Sequence, residues 1–290
     1  MIRKMILPIL LTVSSYLGAN VNAVVSIMPQ KTFVEAIGGD KVNITLMVKP
    51  GSSPHTYEPK PSQMKDISKA DIYFSIGVEF EEVWLAKFQN QNKEMKIVNS
   101  SKGIDKIAMV EHVHSHDKHE EHKEHKEHTD HKAHKDPHVW TDPENVKIIA
   151  QNIYNALIRA DKENSKYYKE NFDKFIEHID KTDKQIKDII QGRELRLMVF
   201  HPAWGYYCKR YGLKQIPIEV EGKNPKPKML MHIISQARKE KVNVIFTSPE
   251  FSDVVAKKIA GELGIPVVKI SPLARDWSSN LINLTKQIVR

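Results

Sequence analysis

Fourteen histidines in a 290-residue chain are its most chemically loaded feature, and their spacing splits them into two populations. Nine crowd one segment: His112, His114, His116, His119, His122, His125, His128, His131 and His134, the last seven of them three residues apart. The other five stand alone. His178 and His232 lie in helix-like stretches among charged or mixed neighbours and read as surface residues. His55, His138 and His201 have more specific surroundings. His55 sits in a turn-rich loop, residues 50–59, after a β-rich run that ends at Val48. His138 closes the polar insertion at Asp136-Pro137-His138, just before a helix opened by Pro143. His201 directly follows an apolar β-rich run and has Pro202 behind it.

In open parallel sheets, ligands bind where loops leave the carboxyl ends of the strands, so these three loops would bring one imidazole each to a shared crevice. Neutral imidazole is a good zinc ligand, and three of them leave one tetrahedral corner for a carboxylate or a water. A site built only of oxygen donors would instead select magnesium or calcium. His55, His138 and His201 are therefore expected to form one tight Zn2+ site, with zinc ahead of manganese or iron.

Elements with two different periods must position those loops. Residues 24–28, 44–48, 72–76 and 96–98 are short β-rich runs, separated by helix-like stretches such as 62–70 and 81–89. A second set repeats the plan, with β-rich runs at 196–200, 216–220, 243–247 and 266–270 and helices expected at 203–211, 228–239, 252–263 and 277–289. A βαβα rhythm implies a parallel sheet flanked by helices, so the fold class is α/β with two parallel-sheet lobes. At 290 residues and 40% apolar content the chain is long enough for each lobe to have its own core. Between the lobes Phe172, Phe175, Ile176, Ile179, Ile186, Ile189 and Ile190 recur at helical spacing, and no Gly or Pro interrupts residues 165–191. Such a helix is about 40 Å long. Its apolar repeat is too short for a coiled-coil seam, so it reads as a stiff connector. The expected division is a cleaved signal peptide at 1–23, an N-terminal lobe at 24–161, a connecting helix at 162–192 and a C-terminal lobe at 193–290.

The leader rests on Arg3 and Lys4, the apolar run 6–19 and a small-residue cut site near Val21-Asn22-Ala23. That run is short and is broken by Pro8, Ser14 and Ser15, which argues against a membrane anchor. Cys208 is the only cysteine, which excludes an intrachain disulfide. No cysteine stands at the cut site to carry a lipid, so a soluble protein of the periplasm is expected. The net charge of +8 is spread over Lys-rich helices without interleaved aromatics, which makes nucleic acid a poor partner.

Residues 111–136 contain no aliphatic or aromatic side chain except Val113 and Ala133, so the tract cannot bury a core and is expected to be disordered without metal. In a helix, histidines three apart would drift round the axis and never form one compact pocket. The tract reads as a flexible loop that binds additional zinc weakly, set against the plainer reading of a solvated spacer. His119-Glu120-Glu121-His122 has its histidines three apart rather than the four of a zinc hydrolase motif, and no Gly-x-Ser-x-Gly occurs. A binding protein is expected rather than an enzyme. A surface adhesin using metal structurally is the remaining class, and the missing lipid-anchor cysteine argues against it.

Four motifs carry a family resemblance. Ser53-Pro54-His55-Thr56-Tyr57-Glu58-Pro59, Asp136-Pro137-His138-Val139-Trp140, Phe200-His201-Pro202-Ala203-Trp204-Gly205 and Arg210-Tyr211-Gly212-Leu213 resemble the zinc-binding periplasmic solute receptors of cluster A-I, the ZnuA family. Ile245-Phe246-Thr247-Ser248-Pro249-Glu250-Phe251-Ser252 and Ser271-Pro272-Leu273 are similar to its later motifs. The resemblance implies two α/β lobes joined by a long rigid helix, metal held between them, and a His-rich loop before the second metal histidine. It also implies delivery of zinc to the permease of an inner-membrane ABC importer; the receptor itself is expected to be a monomer. Family members often carry Asp where this chain has Ser271. The fourth donor is thus left among water, Asp276, Glu250 and Glu58, with water or Asp276 preferred.

Overall fold

Four parallel strands build the first lobe: β1 (Val21–Val25), β2 (Val42–Leu46), β3 (Ile72–Ser75) and β4 (Lys96–Asn99), in the order β2-β1-β3-β4. The second lobe repeats that order as β6-β5-β7-β8, using β5 (Arg196–Val199), β6 (Lys214–Pro217), β7 (Ile245–Thr247) and β8 (Val267–Lys269). The computed structural model describes residues 20–109, 135–220 and 223–290. The central strands β1 and β3 are apolar almost throughout because helices cover both sheet faces, and β3 is buried at every position.

Nine α-helices occur among the described residues: α1 (Met28–Gly38), α2 (Pro61–Ile67), α3 (Glu79–Gln91), α4 (Pro143–Ala160), α5 (Ser165–Ile190), α6 (Gly205–Tyr211), α7 (Pro227–Lys239), α8 (Val254–Leu263) and α9 (Trp277–Ile288). Proline opens α2, α4 and α7, where its fixed φ suits the first turn and its missing N–H costs nothing. Asp142 caps α4 by accepting from Glu144 N at 2.9 Å. The long helix α5 stops where Gln191 turns left-handed at φ 45° and Gly192 follows at φ 71°.

One expectation needs correction, and two further observations bear on the expected boundaries. The two lobes do not have separate cores: one apolar cluster runs from β1 and β3 through α4 and α5 to Leu197, Tyr207, Trp277 and Leu281. Only the outer face of the second sheet, with Met198, Ile216, Ile233, Ile245 and Ile259, packs as a distinct cluster. The apolar stripe of α5, carrying Tyr168, Phe175, Ile179, Ile186 and Ile190, is long enough to serve both lobes, so it packs against α1 and α4 on one side and α9 on the other. The boundary expected at residue 23 falls inside β1, which pairs with β2 from Val21 onward. The expected leader otherwise lies outside the described residues, as do residues 110–134 of the polyhistidine tract.

Residues 135 and 136, at the tract's end, are described. Lys135 bridges Ala108 in antiparallel fashion, and Asp136 is fully buried, donating its N–H to Ile107 O at 2.9 Å. Both residues are therefore held in place ahead of His138. A polar clamp reinforces the shared core further on. Arg210 of α6 donates to Asp183 of α5 at 2.8 Å and to Glu144 of α4 at 3.1 Å, and Tyr211 also donates to Asp183 at 2.8 Å. Burial alone would raise the Asp183 carboxyl, but bonds from Arg210, Lys187 and Tyr211 hold it well below the usual carboxylate range.

Candidate metal centre

Each candidate histidine is fixed by its own local structure, His55 and His201 in the segments that follow β2 and β5 and His138 just ahead of α4. His55 lies in the single helical turn Pro54–Thr56 after β2, where Ser53 Oγ accepts its backbone N–H at 3.3 Å. Gln63 of α2 ties that loop back to the strand by donating to Met47 O at 2.8 Å. His138 caps the turn Val139–Thr141, and Thr141 Oγ1 donates to its carbonyl at 2.9 Å. Trp140, two residues on, donates its indole N–H to Pro272 O at 2.8 Å, fastening this turn to the second lobe. His201 leaves β5 with the Phe251 ring stacked on it, centroids 4.6 Å apart and 22° from parallel.

The three rings meet. His201 Nε2 stands 3.1 Å from His55 Nε2 and 3.4 Å from His138 Nε2, and the three nitrogens lie within 4.8 Å of one another. Two ligands bound to zinc at tetrahedral corners, with bonds of about 2.0–2.1 Å, stand about 3.3 Å apart, the spacing found here. Behind each ring is a carboxylate. Nδ1 of His55 faces Glu79 Oε1 at 2.9 Å, that of His138 faces Asp136 Oδ1 at 2.7 Å, and that of His201 faces Glu219 Oε1 at 2.7 Å. With Nδ1–H donated to a carboxylate, a neutral imidazole keeps a lone pair on Nε2 and no proton to share there. Three inward lone pairs repel one another and suit a cation.

The space they enclose is about 10 Å³, bordered also by Val78, Glu250, Phe251 and Leu273. That is room for a single ion or water. His138 and His201 are nearly buried, whereas the His55 side chain keeps 25% exposure and forms the accessible edge. Burial lowers His55, but the hydrogen bond and charge of Glu79 outweigh it, so its pKa lies above the ordinary 6.5. Burial dominates at His201 and its pKa lies below 6.5. A proton therefore reaches His55 before His201 as pH falls, and since a ligating imidazole must be neutral, metal affinity should start to drop above pH 6.5. Zinc titrations from pH 8 to 5 check this, and Glu79→Gln should move the onset to lower pH.

His178 and His232 are exposed, in keeping with their surface reading. Two of the expected fourth donors are absent from the cavity. Asp276 caps α9, accepting from Ser279 N at 3.1 Å, and lines a different cleft with Thr32, Asn171 and His178; Glu58 is exposed. Glu250 does border the cavity. Sequence reasoning did not assign the three backing carboxylates. Glu79 opens α3 just after β3, and Glu219 follows β6, so acidic residues at strand carboxyl ends were the available signal.

Residues 23–290 match the family model described as ZnuA, zinc-uptake complex component A, periplasmic. The chain belongs to the ZnuA family. Relatives in the ZnuA group include the high-affinity zinc uptake system protein ZnuA of Bacillus subtilis (strain 168), 31% identical over 252 residues, or 85% of this chain and 76% of that protein. The manganese ABC transporter substrate-binding lipoprotein scaA of Streptococcus gordonii is 30% identical, covering 88% of this chain and 80% of its own length. A crystal structure of ZnuA superposes with a TM-score of 0.83 at 35% identity, covering 93% of this chain and 98% of that one. The two α/β lobes of parallel strands are thus the ZnuA architecture.

Proposed function

We propose that this chain is an extracytoplasmic zinc receptor whose His55, His138 and His201 capture Zn2+ between the lobes for transfer to the permease of an ABC importer. The observation that carries this reading is the convergence of three Nε2 lone pairs at zinc-like spacing, each held from behind by a carboxylate. The named relatives divide between zinc and manganese. Three nitrogen donors favour zinc, since manganese prefers oxygen-rich shells.

Capture replaces the ion's water with imidazole nitrogen. The continuous core along α5 and the Arg210 clamp resist wide hinge motion, so ordering at the His55 edge should accompany binding rather than a large closure. A cavity of about 10 Å³ suits a single ion, and the family model matched is a zinc-uptake component, which together support a receptor rather than an enzyme. We place the protein in the periplasm as a monomer. The polyhistidine tract, argued from sequence alone, serves as a separate and weaker zinc store.

Chelator-competition titrations of the mature chain, of a form lacking residues 112–134 and of a His55, His138, His201 triple alanine variant test the assignment. The deletion should keep the tightest ion and the triple variant should lose it. The reverse pattern would move the tight site into the tract.

A further inference from the structure

Three imidazoles leave one corner of a tetrahedral ion open, and one carboxylate beside them is held but unspent. Glu250, in the β7–α8 loop, borders the histidine cavity. Its Oε1 accepts from Ser271 Oγ at 2.7 Å, while its Oε2 is buried with no hydrogen-bond partner. A buried carboxylate oxygen without a donor or a cation is costly, so it calls for a positively charged partner. Ser271 is a rigid post for this carboxylate: its Oγ accepts from Leu273 N at 3.0 Å and its carbonyl from Asn280 Nδ2 at 2.9 Å. With its hydroxyl proton directed at Glu250, Ser271 is itself no ligand.

Two other carboxylate oxygens in the region are buried and partnerless, and geometry excludes both. Asp136 Oδ2 faces α6, only 2.6 Å from where a Cβ on Gly205 would stand. Glu79 also borders the cavity, but its Oε1 is committed to Nδ1 of His55 at 2.9 Å, and swinging Oε2 towards the ion would give up the bond that orients that ring.

We propose that Glu250 supplies the fourth zinc ligand, its Oε2 entering the open corner while Oε1 stays on Ser271. This rests on the three-histidine reading above. The Glu250 oxygens stand outside the group of ring nitrogens lying within 4.8 Å of one another, so the side chain must turn about its own torsions on binding. The β7–α8 loop of the second lobe thereby closes over a site whose other edge, His55, belongs to the first.

The test combines zinc competition titrations with absorption spectra of the cobalt(II)-loaded protein, whose ligand-field bands report the donor set. Glu250→Gln should weaken zinc about 100-fold and alter the cobalt bands. Ser271→Ala, which removes only the post, should weaken it about tenfold with the bands kept, the effect of losing an outer partner. Adding Ser271→Asp to Glu250→Gln should restore much of the affinity. Ion-free melting curves confirm that each variant folds; if Glu250→Gln does not, Ser271→Ala decides. Unchanged affinity and spectrum in Glu250→Gln, or unchanged affinity in Ser271→Ala, overturns the proposal and leaves the histidine site standing. Tight zinc binding by the triple histidine variant would bring down the underlying reading instead.

Discussion

His201→Ala should weaken zinc binding by about a thousandfold or more, beyond the 10–100-fold typical of losing an outer partner. His201 is the hub of the set: its Nε2 is the atom common to both short separations, 3.1 Å to His55 and 3.4 Å to His138. Without it the other two imidazoles no longer share an intermediate neighbour. The substitution also strips Glu219 of its partner while that side chain remains 6% exposed. A buried carboxylate left unsatisfied costs about 1–3 kcal/mol or more, so the ion-free variant should melt earlier as well. Saturating zinc sharpens the contrast, because an ion at 1,000 times its Kd stabilises the native state by about 4 kcal/mol. The wild-type melting temperature should rise accordingly with zinc and the variant's should not. His178→Ala and His232→Ala, at exposed positions, serve as controls and should behave as wild type. Retention of the zinc-induced shift in His201→Ala would refute the assignment.

The largest effect on folding is expected at Trp140, away from direct ligation. Its side chain is 1% exposed in the cluster that spans both lobes. Its indole donates to Pro272 O at 2.8 Å, and its own carbonyl accepts from the Trp277 indole at 2.7 Å. Trp140→Ala therefore opens a cavity and breaks a strut between lobes at once, with a cost of about 3–5 kcal/mol. Urea unfolding of the ion-free protein measures it. Because Trp140 fixes the turn that carries His138 and anchors the loop that carries Ser271, zinc affinity should fall too. Trp140→Phe retains most of the ring and loses the indole hydrogen bond, at a cost nearer 1 kcal/mol. A Trp140→Ala protein as stable as wild type would show that this strut contributes little to the lobe interface.

How much was legible beforehand varies with the range of the interaction. Short apolar β-rich runs located the eight strands of the described residues to within a few positions, and the uninterrupted stripe from Phe172 to Ile190 located α5. Both are local patterns, set by backbone periodicity. The loop histidines were legible for the same reason, each standing next to the end of a strand or the start of a helix. Glu79 and Glu219 were not, because a carboxylate near a strand end looks the same whether it meets solvent or an imidazole. The boundary expected at residue 23 lies within β1, which pairs with β2 from Val21 onward; a leader's small-residue cut site and the start of a buried strand share a composition.

The shared core was equally hidden. Two similar sets of strands and helices suggested two self-contained units, yet α5 offers one apolar face to α1 and α4 and continues it to α9. Residue types and order along the chain were enough for the α/β class, the long helix and the donors able to bind zinc. Strand-end topology also pointed to a shared crevice for His55, His138 and His201; what the sequence could not supply is the carboxylate behind each ring and the presence of Glu250 rather than Asp276 at the cavity wall. Those depend on where the packed lobes bring distant loops to rest, and a linear pattern holds no record of that.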